Sequence, residues 1–317
     1  MENIGAIMEN AIEIENLSKH YGEVIALNCI SFRVKKGEIF GFLGPNGAGK
    51  TTTIRILTGI IKPNSGTATI TGYEVLKQPL NVKQVISVVP ETSNVYVELT
   101  AWQNLMLIGE LYGISKKARQ ERAKALLEKF ELYERRNQLA RSFSKGMKKR
   151  LMLCMALLTK PKVLFLDEPT SGLDVQSSRL MRDSIQQFND DGTTVFLSTH
   201  NMEEANQLCD RIAILNRGKI VAIDTPENLR MKSSNLKSVE VSFNKPVSFE
   251  TLCKMSNALE AKKMGDKIRL YTDKPHTIIE KLLEYARLEG LEIISLTTLA
   301  PTLEDVFVKL TKRRGAD

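Results

Sequence analysis

The chain has 317 residues, of which 42% are hydrophobic and 26% are charged. This composition is ordinary for a globular protein, and the length allows one large domain and a smaller one. The formal net charge of +8 fits a nucleic acid, an anionic membrane surface or a phosphate-bearing ligand, so charge alone does not choose among these partners.

Three classes of protein are disfavoured by simple patterns. The four cysteines lie far apart and only three histidines are present, so their spacing offers no zinc cluster, and a reducing compartment fits best. Residues 1–18 are acidic, which does not match a secretory signal. The longest apolar run, residues 151–158, is shorter than the roughly 20 residues of a membrane-spanning helix. Any association with a membrane is therefore expected to go through a partner.

The first part of the chain predicts two kinds of sheet. Apolar and polar residues alternate at 12–14, 30–34 and 67–71, which is typical of half-buried antiparallel strands. Residues 38–43 form an apolar run that precedes a glycine-rich turn and a helical stretch over 50–59. Further apolar runs are separated by helical segments, which predicts a mostly parallel sheet. These runs lie at 85–89, 163–166, 194–197 and 211–215.

The remaining segments predict a helical insertion and a second domain. Residues 102–159 have the spacing of successive helices, including one over 116–130, and contain no convincing strand. A tight turn is expected at 216–218, and a polar stretch at 232–235 predicts a linker. The second domain is expected to have strands at 238–243, 267–271 and 291–296, helices at 249–259 and 277–288, and a last helix.

A glycine-rich motif follows the predicted strand at 38–43. It matches G-x-x-x-x-G-K-[ST] and consists of Gly44, Pro45, Asn46, Gly47, Ala48, Gly49, Lys50 and Thr51. In such a loop, backbone N–H groups and the N-terminus of the following helix surround the phosphate oxygens. Lys50 would neutralise the charge of these oxygens, and the Thr51 hydroxyl can bind Mg²⁺. The motif predicts a nucleotide phosphate site that would fit a kinase, a GTPase or a motor equally well. A chance glycine-rich turn is the alternative.

Two adjacent carboxylates follow the predicted buried strand at 163–166. Asp167 and Glu168 are expected at the carboxyl edge of the sheet, beside the phosphate loop. There Asp167 would hold hydrated Mg²⁺, while Glu168 would orient or deprotonate a water in line with the γ-phosphate. The alternative is a helix cap at the end of the strand, before Pro169.

Further motifs, in their order along the chain, make the sequence similar to the ATP-binding cassette (ABC) family. Residues 143–147, Phe-Ser-Lys-Gly-Met, resemble the family signature, and residues 171–174 resemble its D-loop. His200 matches the switch histidine, and Tyr21 matches the aromatic residue that stacks on adenine. A lone tyrosine or histidine is more often part of the core or surface, but this ordered series favours a site.

The resemblance implies a fold and a domain division. The fold class is α/β of the P-loop NTPase type, with a RecA-like and mostly parallel sheet, an antiparallel β subdomain and a helical subdomain. A small α+β domain would follow at the C-terminus. Residues 11–232 are expected to form the nucleotide-binding domain, with its helical insertion at about 100–160, and residues 236–312 the accessory domain.

The resemblance also assigns roles to residues. Catalysis is expected from Lys50, Glu168 and His200, and Mg²⁺ binding from Thr51, Asp167 and Glu91. The residues that would contact ATP are Tyr21, Gly44, Pro45, Asn46, Gly47, Ala48, Gly49, Lys50, Thr51, Thr52, Ser144, Gly146 and Asp174. Ser144 and Gly146 precede a helix expected to begin near Lys148, and they would cap the γ-phosphate bound by an opposing cassette. Because the chain carries one set of motifs, it would pair with a copy or a relative.

Two departures from the family pattern bear on the site. Glu91 stands where the family has a glutamine; it can approach Mg²⁺ through oxygen, but it brings negative charge and cannot donate a hydrogen bond. Lys145 and Met147 replace two usual residues of the signature. Both departures are similar to the ATPases of drug-resistance and sodium-extrusion exporters. A degenerate, inactive site is disfavoured because the phosphate-loop, acidic and histidine motifs are otherwise complete.

The C-terminal region carries a less specific resemblance. Residues 303–307 are similar to part of the accessory domain of such exporter ATPases. Thr302 and Asp305 also fit a simple helix cap that precedes an apolar helix face. A structural helix and a regulatory or dimer contact therefore both stay open.

The sequence as a whole predicts the ATP-hydrolysing subunit of an exporter. It would lie in the cytoplasm, peripheral on the inner face of the membrane, and act on a separate transmembrane permease. One alternative is a soluble ABC ATPase that acts on nucleic acid or ribosomes. It is disfavoured, and a nucleic-acid partner is considered unlikely, because the chain has neither two cassettes nor a long coiled coil. A second alternative is an assembly module that binds ATP without turnover.

Overall fold

The structure divides into two compact units. The computed structural model describes residues 9–92, 94–232, 237–256 and 258–312. The first unit ends at Asp224 and the second begins at Thr225. Residues 233–235 of the predicted linker lie outside the described residues, and the domain boundary at 232–236 stays a prediction. Within the described ranges, no helix is both long and apolar enough to cross a membrane.

The first unit contains two sheets and a group of helices. In chain order its elements are β1 (Asn10–Tyr21), β2 (Val24–Lys35), β3 (Ile39–Leu43), α1 (Lys50–Leu57), β4 (Ser65–Ile70), β5 (Tyr73–Glu74), α2 (Pro79–Val85), β6 (Ile86–Val89), α3 (Ala101–Leu111), α4 (Lys116–Lys129), α5 (Lys145–Leu157), β7 (Val163–Asp167), α6 (Val175–Asp190), β8 (Thr194–Thr199), α7 (Met202–Leu208), β9 (Arg211–Asn216) and β10 (Lys219–Asp224).

The first sheet is antiparallel, with the strand order β2-β1-β4-β5. Ile12 pairs with Val34 on one side and with Ile70 on the other, and all three are buried. The apolar and polar alternation therefore reflects one face packed on the core and one face in solvent. The three predicted antiparallel strands are confirmed, and β1 and β2 extend well beyond the alternating segments.

The second sheet is mostly parallel, with the strand order β10-β9-β3-β8-β7-β6. Strands β9, β3, β8, β7 and β6 are parallel neighbours, and β10 pairs antiparallel with β9. Every residue of β3, β7 and β8 is buried, as expected for strands covered on both faces. The predicted parallel sheet is confirmed, and its strand ends place the phosphate loop and the acidic motif at one edge.

Aromatic rings fill the space between the two sheets. Phe32 of the antiparallel sheet stacks on Phe40 of the parallel sheet, with ring centroids 5.3 Å apart. Phe196 is fully buried and lies 5.4 Å from Phe42 and 5.6 Å from Phe165, measured between ring centroids. Such pairs contribute beyond their buried area, so this cluster fixes the strands that carry the site.

The predicted helical insertion is confirmed. Helices α3, α4 and α5 contact one another, and short 3-10 turns connect α4 to α5. Thr100 caps α3 because its hydroxyl accepts a hydrogen bond from the Gln103 N–H, while the Gln103 side-chain oxygen accepts one from the Thr100 N–H. Ser115 caps α4 through the Ala118 N–H. These caps explain where the helices begin, since the first N–H groups of a helix lack partners inside it.

The β9–β10 hairpin connects three parts of the first unit. Arg217 and Gly218 both have positive φ, 46° and 72°, which is typical of the tight turns that match strand twist. The Gly218 N–H donates to the Ala48 carbonyl of the phosphate loop at 3.0 Å, and the Gly218 carbonyl accepts from the Asn28 N–H at 2.8 Å. A Cβ at Gly218 would come within 2.8 Å of the Ala26 carbonyl oxygen, so the contact requires glycine. The hairpin thus ties the phosphate loop to β2.

The second unit is an antiparallel sheet with helices. Its elements are α8 (Pro226–Lys232), β11 (Lys237–Phe243), α9 (Phe249–Ser256), β12 (Glu260–Met264), β13 (Lys267–Thr272), α10 (Pro275–Leu288), β14 (Ile293–Leu299) and α11 (Leu303–Lys312). The strand order is β12-β13-β11-β14. Its core includes Val239, Val241 and Leu270 on the sheet with Leu252 and Leu282 on the helices.

Two sequence expectations for the second unit need correction, and one strand was missed. The helix expected over 249–259 ends at Ser256, and the strand expected over 291–296 runs from Ile293 to Leu299. Strand β12 was not predicted because its residues are mostly charged and exposed, as is common on a sheet edge, where charge discourages pairing with another chain. The expected cap of the last helix is present, because the Asp305 N–H donates to the Thr302 hydroxyl at 3.2 Å.

Phe196→Ala should lower the free energy of unfolding by about 3–5 kcal/mol, because the cavity would lie within the aromatic cluster between the sheets. Urea unfolding followed by circular dichroism measures this change. Phe196→Leu is the matched control, since it keeps most of the side-chain volume and should lose much less. A loss below about 1 kcal/mol for the alanine variant would show that the cluster does not stabilise the sheets.

Candidate active site

The phosphate loop has a tightly packed backbone that requires glycine. Gly47 and Gly49 have positive φ of 79° and 111°. A Cβ at Gly49 would lie 2.5 Å from the Ala26 carbonyl oxygen, and one at Gly44 would lie 2.6 Å from the Leu215 carbonyl oxygen. Helix α1, which carries Thr51 and Thr52, has no side-chain cap at its N-terminus. Its first N–H groups are therefore suited to an anion.

Lys50 lies inside this loop rather than in solvent. Its side chain is 6% exposed, and its Nζ donates to the Gly44 carbonyl at 2.6 Å and the Pro45 carbonyl at 3.3 Å. The same Nζ lies 3.3 Å from Oε1 of Glu168. A buried ammonium needs such partners, and here they are two carbonyls and one carboxylate.

Asp167 joins the phosphate loop to the neighbouring strand. The Thr51 hydroxyl donates to Asp167 Oδ2 at 3.1 Å, and the Ser198 hydroxyl donates to Asp167 Oδ1. Ser198 faces Asp167 in the register between β7 and β8. The sequence analysis missed Ser198, because a serine within an apolar strand has no signal until the strand pairing is known. Both carboxylate oxygens of Asp167 are thus fixed beside a hydroxyl.

Glu168 is held on several sides. Its Oε2 lies 2.9 Å from His200 Nδ1 and accepts a hydrogen bond from the Thr199 hydroxyl at 3.3 Å. Its N–H donates to the Ser198 carbonyl at 2.9 Å. The backbone of Glu168 has a φ of 50°, a left-handed conformation that is uncommon outside glycine. The His200 side chain is 54% exposed, so it connects a buried carboxylate to solvent.

The first strand ends in an exposed apolar patch. Tyr21 is exposed and pairs with Val24 across the turn between β1 and β2, and the neighbouring Ile25 is also exposed. The Lys19 Nζ lies 5.2 Å from the centre of the Tyr21 ring. Val24 and Ile25 were not singled out from the sequence; their exposure next to Tyr21 is what identifies them.

Ser144, Gly146 and Asp174 lie at helix starts and not in the phosphate loop. Ser144 caps α5, which begins at Lys145 and not near Lys148, because its hydroxyl accepts from the Met147 N–H at 3.2 Å. Asp174 caps α6 by accepting from the Ser177 N–H at 2.8 Å, and this bond lowers the Asp174 pKa. Among the described residues, no hydrogen bond joins Ser144, Gly146 or Asp174 to the loop.

Glu91 is exposed and lies just beyond β6. In the part of the chain that the structure describes, no hydrogen bond joins it to Thr51 or Asp167. Its carboxylate is close enough to the buried Lys149 to raise the pKa of that lysine, against the larger effect of burial. The structure therefore places Glu91 near the site but not among the bonded groups.

Comparison with known proteins places the chain in a family. The model of the family described as ABC transporter matches residues 27–171. The linearmycin resistance ATP-binding protein LnrL of Bacillus subtilis is 37% identical over 311 residues, which is 96% of this chain and 100% of that protein. The Nod factor export ATP-binding protein I of Burkholderia lata is 34% identical over 307 residues, which is 96% of this chain and 98% of that protein.

Solved structures agree with this placement. One described as the ATP-binding subunit of an ABC transporter has a TM-score of 0.66 and 33% identity, and covers 70% of this chain and 93% of its own. An ATP-binding cassette in a dimeric, post-hydrolysis state with ADP and Pi has a TM-score of 0.61 and 26% identity. That match covers 68% of this chain and 98% of its own.

The fold and the site thus define a P-loop ATPase of the cassette type. The chain belongs to the ABC transporter family. It is an ATP-binding, ATP-hydrolysing subunit of a transporter, so the expected family, fold class and enzymatic activity are confirmed. The comparisons support this interpretation over the nucleic-acid or ribosome alternative.

Glu204 of α7 is a buried carboxyl group next to this site. It is 1% exposed, and the Thr199 and Thr170 hydroxyls lie beside its carboxyl group. Burial raises its pKa, the charge of Glu168 adds to the rise, and the Thr199 and Thr170 hydroxyls and Arg182 oppose it. Folding therefore favours the neutral acid form of Glu204 more than the unfolded chain does.

Glu204 should make the protein less stable as the pH rises. Because its pKa is higher in the folded than in the unfolded state, its contribution is complete below the unfolded value and is lost as the pH rises through the folded value. Glu204→Gln keeps the shape without the charge, so its stability relative to the wild type should improve between pH 5 and pH 8. Urea unfolding at both pH values measures this. The control is Glu203→Gln, exposed on the same helix; an unchanged difference for Glu204→Gln would contradict the raised pKa.

Proposed function

We propose that the chain binds MgATP between two cassettes, hydrolyses it with Glu168 as the base, and drives export by a separate membrane permease. One observation carries the catalytic part of the proposal. The ends of three parallel strands and the phosphate loop bring together two bonded sets, Thr51 with Asp167 and Glu168 with Lys50 and His200, which are adjacent because residues 50–51 and 167–168 are neighbours in the chain. Each of these side chains has the chemistry that phosphoryl transfer from ATP to water requires.

The phosphates of ATP would bind at the loop and the start of α1. Loop N–H groups and the Lys50 ammonium supply positive potential in a buried setting, where it acts more strongly than in water. Lys50 is already paired with Glu168 at 3.3 Å. The same ammonium would therefore lie between the bound phosphate and the Glu168 carboxylate.

Mg²⁺ would bind between the loop and β7. The Thr51 hydroxyl and the Asp167 carboxylate are hard oxygen ligands 3.1 Å apart, and Mg²⁺ is commonly held by one or two protein groups with water and substrate phosphates. No group of three or more His, Cys, Asp or Glu side chains suited to a metal occurs among the described residues. This fits a metal that is completed by the nucleotide. Glu91 is proposed as a further oxygen ligand.

Hydrolysis requires a water molecule aligned with the γ-phosphate. Glu168 would accept its proton, and His200 would orient Glu168 and the phosphate, since its Nδ1 lies 2.9 Å from the carboxylate. Lys50 would stabilise the charge on the transferred group. The adenine would stack on Tyr21, supported by the apolar surface of Val24.

A second cassette would complete the site. Ser144 and Asp174 are exposed and have no bond to their own phosphate loop in the described part of the chain. This supports their contact with the nucleotide of an opposing cassette, with Gly146 allowing close approach. The dimeric state of the related cassette with ADP and Pi supports it too. The partner would be a copy of this chain or a relative.

A separate permease is the proposed membrane partner. Relatives that align with almost all of this chain are named for linearmycin resistance and Nod factor export, which supports an exporter of this kind. The subunit would then be peripheral, on the cytoplasmic face of the membrane, through its contact with the permease.

Glu168→Gln should lower the turnover of ATP by about two orders of magnitude or more, because the amide cannot accept the proton of water. ATP binding should be retained, since the phosphate loop is unchanged. Phosphate release and binding of a fluorescent ATP analogue by the purified full chain measure the two quantities. Glu203→Gln, an exposed change nearby, is the control. Near-normal turnover in Glu168→Gln would refute the assignment of the base.

The transporter assignment should be visible in the partners of the full chain. Mass spectrometry of proteins that co-purify with the tagged chain from detergent-solubilised native membranes, in the presence of ATP, should identify a multi-span membrane protein. Ribosomal or DNA-bound partners alone would contradict the permease, while leaving the ATPase chemistry intact.

A further inference from the structure

We propose that Lys149 is a positioning residue that holds the catalytic carboxylate Glu168 in place from helix α5. The inference rests on the proposed function, because Lys149 would act through Glu168. It assigns a role to a lysine that lies outside the phosphate loop and that no motif of the sequence singled out.

Lys149 is buried and directed at the backbone of Glu168. Its side chain is 2% exposed, and its Nζ donates to the Glu168 carbonyl at 2.6 Å. Lys50 binds the same residue at the other end, through the side-chain Oε1 at 3.3 Å. Glu168 is thus held between two buried lysines, one at its carboxylate and one at its main chain.

The conformation of Glu168 explains why it needs such support. Its φ of 50° is a left-handed conformation, and the following Pro169 restricts its backbone further. Strained backbone of this kind persists only where surrounding bonds enforce it. The Glu168 carbonyl also accepts the Ser171 N–H at 3.2 Å, and Lys149 provides the shorter of the two bonds. Losing it would leave the peptide between Glu168 and Pro169 less firmly oriented.

Carboxylates around Lys149 favour its charged form. Burial lowers the pKa of Lys149 and nearby Lys145 lowers it further, while Glu91, Glu204 and Glu168 raise it. A buried ammonium is costly unless it is bonded to a polar group. The direct contact of the Lys149 ammonium with the Glu168 carbonyl therefore gives this side chain a specific structural role. A lysine that only filled space would extend its ammonium to solvent.

Helix α5 connects this contact to the proposed signature. Lys149 lies on the helix that Ser144 caps, and the start of that helix packs on the loop before α6. A Cβ at Gly146 would come 3.0 Å from the Ser177 hydroxyl, and one at Gly172 would meet the Lys145 side chain. Because Lys149 and the signature residues share helix α5, a shift of this helix would also move the Lys149 ammonium relative to Glu168.

The first test compares three variants of the full chain by steady-state ATP hydrolysis. Lys149→Met removes the donor at nearly constant volume, and we expect a kcat about tenfold lower, or about 1.4 kcal/mol, with a KM for ATP within about twofold. Lys149→Arg retains a donor and should recover most of the rate. Lys148→Met, which removes a charge from the same helix outside this contact, should leave hydrolysis unchanged. Thermal unfolding checks that each variant is folded.

A double-mutant cycle tests whether Lys149 acts through Glu168. In the Glu168→Gln background there is no base to position, so adding Lys149→Met should lower the single-turnover rate by less than about twofold. A full further tenfold loss would overturn the proposal, because Lys149 would then act elsewhere. Unchanged kcat in a folded Lys149→Met, or failure of Lys149→Arg to recover activity, would also overturn it. If Glu168→Gln itself kept near-normal turnover, the proposed function would fail instead.

Discussion

The pairing of three buried parallel strands is the constraint on which the site depends. Asp167 faces Ser198 where β7 pairs with β8. Leu43 faces Thr199 where β3 pairs with β8. A shift of one residue would turn every side chain of a strand to its other face. The phosphate loop, the two carboxylates and the histidine would then no longer meet. The buried aromatic cluster around Phe196 packs rings from all three strands together and so stabilises this register.

Buried charge is the second organising feature. Lys50 and Lys149 are buried beside Glu168, and the buried Asp167 is the preceding residue in the chain. Removing such groups from water is costly, and the cost is met here by short contacts to carbonyls, hydroxyls and opposite charges. The electrostatic potential of the site is therefore set largely by the fold. This is the arrangement that favours catalysis, because little has to reorient during the reaction.

The sequence predicted much of this architecture because its signals are local. Spacing alone identifies the run from β3 through the phosphate loop to α1. It also identifies the acidic pair at the end of β7. Ser198 and Lys149 could not be predicted in this way. Ser198 acquires its role from the strand opposite, and Lys149 belongs to a basic run whose burial depends on how α5 packs.

Strand β12 was missed for a related reason: its charged residues have no apolar face and depend on β13 for pairing. Local sequence patterns thus predict helices, strands and motifs. Contacts between residues that are distant in the sequence become visible only in the tertiary structure.

The ion pair between Lys50 and Glu168 links two proposed roles through one cation. Lys50 is proposed to bind the phosphates of ATP, and Glu168 is proposed to accept the proton of the attacking water. Because the Lys50 ammonium lies 3.3 Å from the Glu168 carboxylate, a change in the surroundings of Lys50 would alter the electrostatic potential at Glu168. The binding of phosphate and the proposed proton transfer are thereby electrostatically coupled within one chain.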